Sequence, residues 1–281
     1  MERKVAFITG ASRGIGAESA VALAHAGYHV AITARTLTEG EPHDHVGSTA
    51  PLPGSLEATA TAVRAAGTEA LCLQADILDE AAVMQAARAA ADHFGRVDLL
   101  FNNAVYQGNG NQERLLDVTR EQLDAIYQGN LFTPLALVQT LLPGMIERGG
   151  GTIINMVSYT AFNNPPAAAD KGGWGFAYPS SKAALARMAG AIRAEHPDSG
   201  LRCFNLEPGT VVTEVMKAAG ITEEVLQRFR PCRAATIAGV VAWLADNEPE
   251  ADWQTQDILR GPAMAKALDL SLIHISEPHE T

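Results

Sequence analysis

The sequence predicts an α/β fold: a single doubly wound domain whose mostly parallel sheet of about seven strands is flanked by helices. Three observations predict it. Short β-branched or aromatic runs alternate with helical segments about six times, the signature of β-α-β units whose right-handed crossovers build a parallel sheet covered on both faces. No internal repeat and no linker divides the chain. And each chemically suggestive residue stands just past the end of an apolar run, which is where ligands bind in open parallel sheets.

The elements follow in order. KVAFITG is a buried strand, and GIGAESAVALAHAG is a helix closed by Gly27. YHVAITAR is the second strand. Residues 36–54, rich in Pro, Gly and His, read as an exposed loop insertion. SLEATATAVRAAG is a helix opened by Ser55 as N-cap. ALCLQAD, the alanine-rich helix DEAAVMQAARAAADHFG and VDLLFNNA give strand, helix, strand. TREQLDAIYQGN and LFTPLALVQTLLPGMIERGGG are helices, and TIINMVS is strand five. After an irregular insertion at 159–176 come the helix AYPSSKAALARMAGAIRAE and strand LRCFNLEPG. EEVLQRF and AATIAGVVAWLAD are the last helices, with a final strand near QTQDIL. The domain spans 1–260. Residues 261–281, ending in SLIHISEPHET, read as a tail, either foreign to the fold or an arm that packs on a neighbouring subunit.

Composition narrows the function classes. A chain of 281 residues with 47% hydrophobic and 19% charged residues buries a sizeable core and is not disordered. A formal net charge of -11 argues against a nucleic-acid partner, which needs a basic face. No apolar run approaches the ~20 residues of a membrane span. The N-terminus runs directly into a strand, unlike a signal peptide. Cys72, Cys203 and Cys232 are scattered without CxxC spacing, as free thiols of a reducing cytoplasm are. His43 and His45 lack a third ligand, so a solvated loop is expected there and no metal.

TGASRGIG, residues 9–16, joins strand one to helix one. Gly10, Gly14 and Gly16 can take positive φ and admit a phosphate close to the backbone, with Ser12, Arg13 and Ile15 between them. The helix N-terminus adds N–H groups and a positive dipole end for a pyrophosphate. Arg35 follows strand two, where an NAD site usually carries an acidic residue for the ribose 2′-hydroxyl. Two guanidinium groups, Arg35 and Arg13, facing a 2′-phosphate favour NADP(H) over NAD(H).

AYPSSKAAL places Tyr178 and Lys182 four residues apart, on one face of a helix. A free phenol titrates near ~10, too high for acid–base work at neutral pH, and a close ammonium lowers that value.

Taken together, TGASRGIG, NNAV, YPSSK and PGTVVT resemble, in order and spacing from Lys4 to about Leu259, the motifs of the short-chain dehydrogenase/reductase family. The resemblance implies a Rossmann-like sheet and reversible hydride transfer between NADP(H) and a ketone, an aldehyde or a secondary alcohol. It implies Tyr178 as acid–base, and Lys182 as the group that holds the ribose and depresses the phenol. Ser158 would hydrogen-bond the substrate oxygen, and Asn130 would support a water relay to the lysine. Asp76, with Ile77 beside it, would bind the adenine amino group, and Asn103 would line the adenosine side. Pro208, Gly209, Val211 and Thr213 would orient the nicotinamide. It also implies a homodimer or homotetramer, to which the apolar faces of LFTPLALVQTLL and AALARMAGAI are suited, as they are to core burial.

Two departures stand out. Val105 occupies the family's glycine after N-N-A, where a β-branched residue resists positive φ. The stretch between Ser158 and Tyr178 is longer than usual, and its Tyr159, Phe162, Trp174 and Phe176 are expected to shape a pocket for a bulky apolar carbonyl compound. The same motifs leave two alternatives: a non-catalytic NADP(H)-binding regulator, and an NAD-dependent alcohol dehydrogenase.

Overall fold

The computed structural model describes residues 2–43, 50–214, 231–250, 254–255 and 257–270. Its strands are β1 (Val5–Thr9), β2 (His29–Ala34), β3 (Ala70–Gln74), β4 (Leu99–Asn102), β5 (Gly151–Met156), β6 (Leu201–Glu207), β7 (Gln254–Thr255) and β8 (Ile258–Arg260). They form one sheet in the order β3-β2-β1-β4-β5-β6-β8-β7. Every neighbouring pair is parallel except β7 with β8, so seven parallel strands carry a two-residue antiparallel edge. The single strand expected near QTQDIL is therefore two, split at a turn where Asp257 takes φ +66°.

The strands are buried on both faces because their residues alternate between two cores. Ala6, Ile8, Val30, Ile32, Leu99 and Phe101 face one core, completed by α1 (Gly14–His25), α2 (Leu56–Ala65), α7 (Ala234–Leu244) and α8 (Gly261–Ala267). Val5, Phe7, Ala31, Leu100 and Ile153 face the other, under α3 (Glu80–Phe94), α5 (Thr133–Glu147) and α6 (Ala177–Glu195). Phe7, Ile8 and Phe101 are fully buried, and each such side chain contributes about 1.5–3 kcal/mol by leaving water.

Helix ends follow their local signals. Ser55 accepts the Ala58 N–H at 3.1 Å at the start of α2, and Asp79 accepts that of Ala82 at 3.0 Å before α3. Gly95, at φ +73°, stops α3 in the left-handed region. Thr119 and Gln122 form a capping box for α4 (Arg120–Tyr127).

Several expectations change. The helices either side of Gly129 are joined by a π-helical turn, Gln128–Phe132, giving one helical run Arg120–Glu147. By length and composition that run could cross a membrane, against the reading that no stretch comes close. Its Leu137, Val138, Leu141 and Met145 nonetheless pack into the core beside α3, as in a core helix. Residue 261 does not begin a tail: Gly261 is the first residue of α8, whose Met264 and Ala265 are buried in the first core. Nor is the 36–54 insertion wholly exposed, since Thr36 and Leu52 are buried. The EEVLQRF helix and the stretch 271–281 lie outside the described residues.

Candidate functional site

The chain leaves β1 toward β2 and β3 and returns to β4 on the other side, opening a crevice past the carboxyl ends of β1 and β4. A cleft of about 440 Å³ occupies it. Gly10, Ser12, Arg13, Gly14 and Ile15 line it on the β1 side, with Arg35, Ile77 and Asn103. Tyr178, Lys182, Pro208, Gly209, Val211 and Thr213 line it on the side of β5 and β6. Gly16, Asp76, Asn130 and Ser158 stand outside this lining.

The glycines of the turn divide the work. Gly10 and Gly14 take φ +69° and +57°. Gly16 has no positive φ, contrary to expectation; a Cβ there would lie 2.3 Å from the Gly10 carbonyl oxygen, so it serves close packing. Asn103 holds the two strand ends together: its side-chain amide donates to Thr9 O at 2.9 Å and Gly10 O at 3.2 Å. Helix α1 then starts after an extended Arg13 that gives it no side-chain cap. An uncapped helix start beside two left-handed glycines fits the pyrophosphate of a dinucleotide.

The two arginines, both on the cleft, are held differently. Arg13 donates through Nε to Pro53 O at 2.9 Å and through Nη2 to Gly54 O at 2.9 Å, Leu52 O at 3.3 Å and the Thr36 hydroxyl at 3.2 Å. Its guanidinium thus clasps the 36–54 insertion. Arg35 stays on the cleft wall, with Nη1 4.0 Å from Asp76 Oδ2. Asp76 itself accepts the Leu78 N–H at 2.9 Å, an Asx turn that holds its carboxylate behind the wall.

Tyr178 and Lys182 come from one face of α6, as their spacing requires. The Ser158 hydroxyl lies 3.0 Å from that of Thr160 and bears on the Tyr178 phenol, whose pKa it lowers. Lys182 is buried and donates to Met156 O at 2.8 Å. Burial dominates both titrations. It pushes Tyr178 above the usual tyrosine range, with Glu207 adding to the effect and the Ser158 hydroxyl opposing it. It pulls Lys182 down to about 7. The phenol's pKa is therefore raised, where the sequence led to expect a depression by the ammonium.

Asn130 is fully buried in the π turn. It accepts the Tyr106 N–H at 2.9 Å and donates to the Ser181 hydroxyl at 3.1 Å. Ser181 in turn donates to Tyr178 O at 2.7 Å. Asn130 thus reaches the backbone of Tyr178 through Ser181.

Val105 lines the cleft without left-handed backbone; among the described residues only Asp257 and Asp269 are non-glycine positions with positive φ. In the 159–176 insertion, Tyr159 meets Trp174 edge-on at 6.3 Å, and the Arg260 guanidinium lies 6.0 Å from the centre of the Tyr159 ring. Trp174 and Phe176 line a second cavity of about 490 Å³ with Leu115 and Leu116, whereas Phe162 packs against Val157, Ala186 and Ile258. His43 lies 3.4 Å from Glu41; His45 falls outside the described residues.

Two acidic residues at the site escaped sequence reasoning. Glu207 is buried at the end of β6, and Glu214 lines the cleft beside Gly14. The signal for Glu207 was a lone carboxylate closing an apolar strand, immediately before Pro-Gly.

Residues 4–224 match the family model described as short chain dehydrogenase. An uncharacterised oxidoreductase of Methylorubrum extorquens is 31% identical over 268 residues, covering 92% of this chain and 96% of that protein. A metagenomic short-chain oxidoreductase solved in complex with NADP superimposes with a TM-score of 0.67 at 30% identity, over 92% of this chain and 96% of that one. A 7α-hydroxysteroid dehydrogenase solved with NADH and 7-oxo glycochenodeoxycholic acid gives a TM-score of 0.70 at 27% identity, over 92% of each chain.

Proposed function

We propose that this chain, which belongs to the short-chain dehydrogenase/reductase family, reduces a ketone or aldehyde with NADP(H), or runs the reverse oxidation of a secondary alcohol. When bound, the nicotinamide supplies the hydride or takes it up. Gly10, Gly14 and the start of α1 would hold the pyrophosphate, Arg35 the 2′-phosphate, and the Pro208–Thr213 segment the nicotinamide. Ser158 would hydrogen-bond the substrate oxygen and keep the Tyr178 hydroxyl aimed at it. Tyr178 would then pass its proton to that oxygen as it becomes an alkoxide.

Burial keeps the Tyr178 phenol neutral, and although it weakens the acid, an alkoxide forming on the substrate is basic enough to take the proton. Lys182, titrating about 7, is poised to exchange a proton near neutral pH. The observation that supports the reading is that Tyr178 and Lys182 line the same cleft as the glycine turn. The preference for NADP(H) rests on Arg35 together with the NADP-bound relative.

The test is Tyr178→Phe, assayed by NADPH consumption over a panel of ketones, aldehydes and quinones. The expected outcome is a rate loss of about 10²–10⁴-fold with NADPH affinity retained. Near-wild-type turnover in the variant refutes the mechanism.

A further inference from the structure

Glu207 is the last residue of β6, and only 8% of it is exposed. A carboxylate so buried needs partners. One oxygen accepts the Gly209 N–H at 2.7 Å, closing the Pro208–Gly209 turn back onto the strand. Gly209 takes φ +67° there, and a Cβ on it would sit 2.8 Å from Pro262, so the turn is confined from the α8 side as well. Cys232 braces it further, donating its thiol to Pro208 O at 3.4 Å and its N–H to Thr210 O at 2.9 Å. Pro208, Gly209 and Thr210 all line the cleft.

Charged and titratable groups face Glu207 from three elements. Arg260 stands opposite it in the parallel register of β6 and β8 and lowers its pKa. Tyr178 of α6 and the Cys232 thiol both feel its negative charge. Burial is the largest influence on Glu207 itself and raises its pKa, against the Gly209 hydrogen bond and Arg260.

Building on the hydride-transfer reading above, we propose that Glu207 is a positioning residue for the reaction. Its carboxylate pins the Pro208–Thr210 turn that walls the nicotinamide end of the cleft, so that the turn keeps the shape the cofactor meets.

Two variants isolate the turn. Glu207→Gln keeps an oxygen for the Gly209 N–H; Glu207→Ala removes it. Glu207→Ala should raise KM for NADPH several-fold, and Glu207→Gln should restore most of that loss. A Glu207→Ala protein with the wild-type KM for NADPH, or a Glu207→Gln protein no better than Glu207→Ala, overturns the proposal. Fluorescence titration of NADPH reads the same loss and rescue without turnover. If no carbonyl compound is reduced by the wild-type chain, the hydride-transfer reading fails, while the titration still decides whether Glu207 shapes the cleft.

Discussion

The Lys182 ammonium donates to the Met156 carbonyl oxygen at 2.8 Å, tying the middle of α6 to the last residue of β5. The contact holds the helix that carries Tyr178 against the strand that leads to Ser158. It also takes a lysine out of water, and burial brings its pKa down to about 7.

That displacement predicts a pH dependence of stability. Between pH 7 and the ordinary lysine range near ~10.4, the unfolded chain binds a proton at residue 182 that the folded chain does not, so stability rises with pH across this window. The contribution is lost as pH falls through about 7. Calorimetry of Lys182→Met should therefore give a flatter profile of Tm between pH 7 and 10 than wild type, the difference amounting to a few kcal/mol at most. Higher still, Tyr178 works the other way: its raised pKa makes stability fall as pH climbs past the tyrosine's ordinary value.

Asn130→Ala tests the link from the π turn to the active helix. It removes an acceptor of the half-buried Tyr106 N–H and the donor to Ser181. The expected cost is about 1–3 kcal/mol for the two lost hydrogen bonds, read as a lowered urea midpoint at unchanged slope. Turnover should fall as well, because Ser181 no longer holds the Tyr178 carbonyl as firmly. Asn130→Asp keeps an acceptor for Tyr106 and should recover most of the stability but less of the rate.

These contacts explain what the sequence could and could not reveal. The glycine turn, the Tyr178–Lys182 face and the strand ends are local patterns, and a few adjacent residues declare them. Arg13 looked like a phosphate ligand because its partners, the carbonyls of residues 52–54, lie some forty residues away and carry no side-chain signature. Asn155 and Asn205 sat unremarked inside strand runs. Only the register of β4, β5 and β6 aligns them, with Asn102 donating to Asn155 at 2.9 Å and Asn155 to Asn205 at 3.5 Å. The direction of the Tyr178 shift was missed for a related reason: burial is its largest cause, and burial belongs to the tertiary fold.

Cofactor choice is tested at Arg35. Arg13 is bonded to the 36–54 insertion, and Arg35 on the cleft wall is the guanidinium proposed to meet a 2′-phosphate. Arg35→Ala should weaken NADPH binding about 10–100-fold, the value of one charge-assisted hydrogen bond, and leave NADH nearly unchanged. Fluorescence titration of both nucleotides measures it. Equal losses for the two would place the 2′-phosphate elsewhere.

Gly16→Ala tests whether the third glycine of the turn is there for packing alone. The new methyl would meet the Gly10 carbonyl oxygen at 2.3 Å and the Asn103 amide at 2.6 Å. Backbone cannot yield as a flexible side chain can, so α1 must back away from the end of β1, at a cost of about 1–3 kcal/mol. The same shift breaks the Asn103 bonds to Thr9 and Gly10 that set the spacing of β1 and β4 at the crevice. Thermal unfolding should register the loss of stability, and NADPH affinity should fall with it, although no atom of residue 16 lines the cleft. A variant that binds NADPH as tightly as wild type, with Tm unchanged, would mean that the turn tolerates a side chain there and that the close approach of α1 to β1 is not what shapes the site.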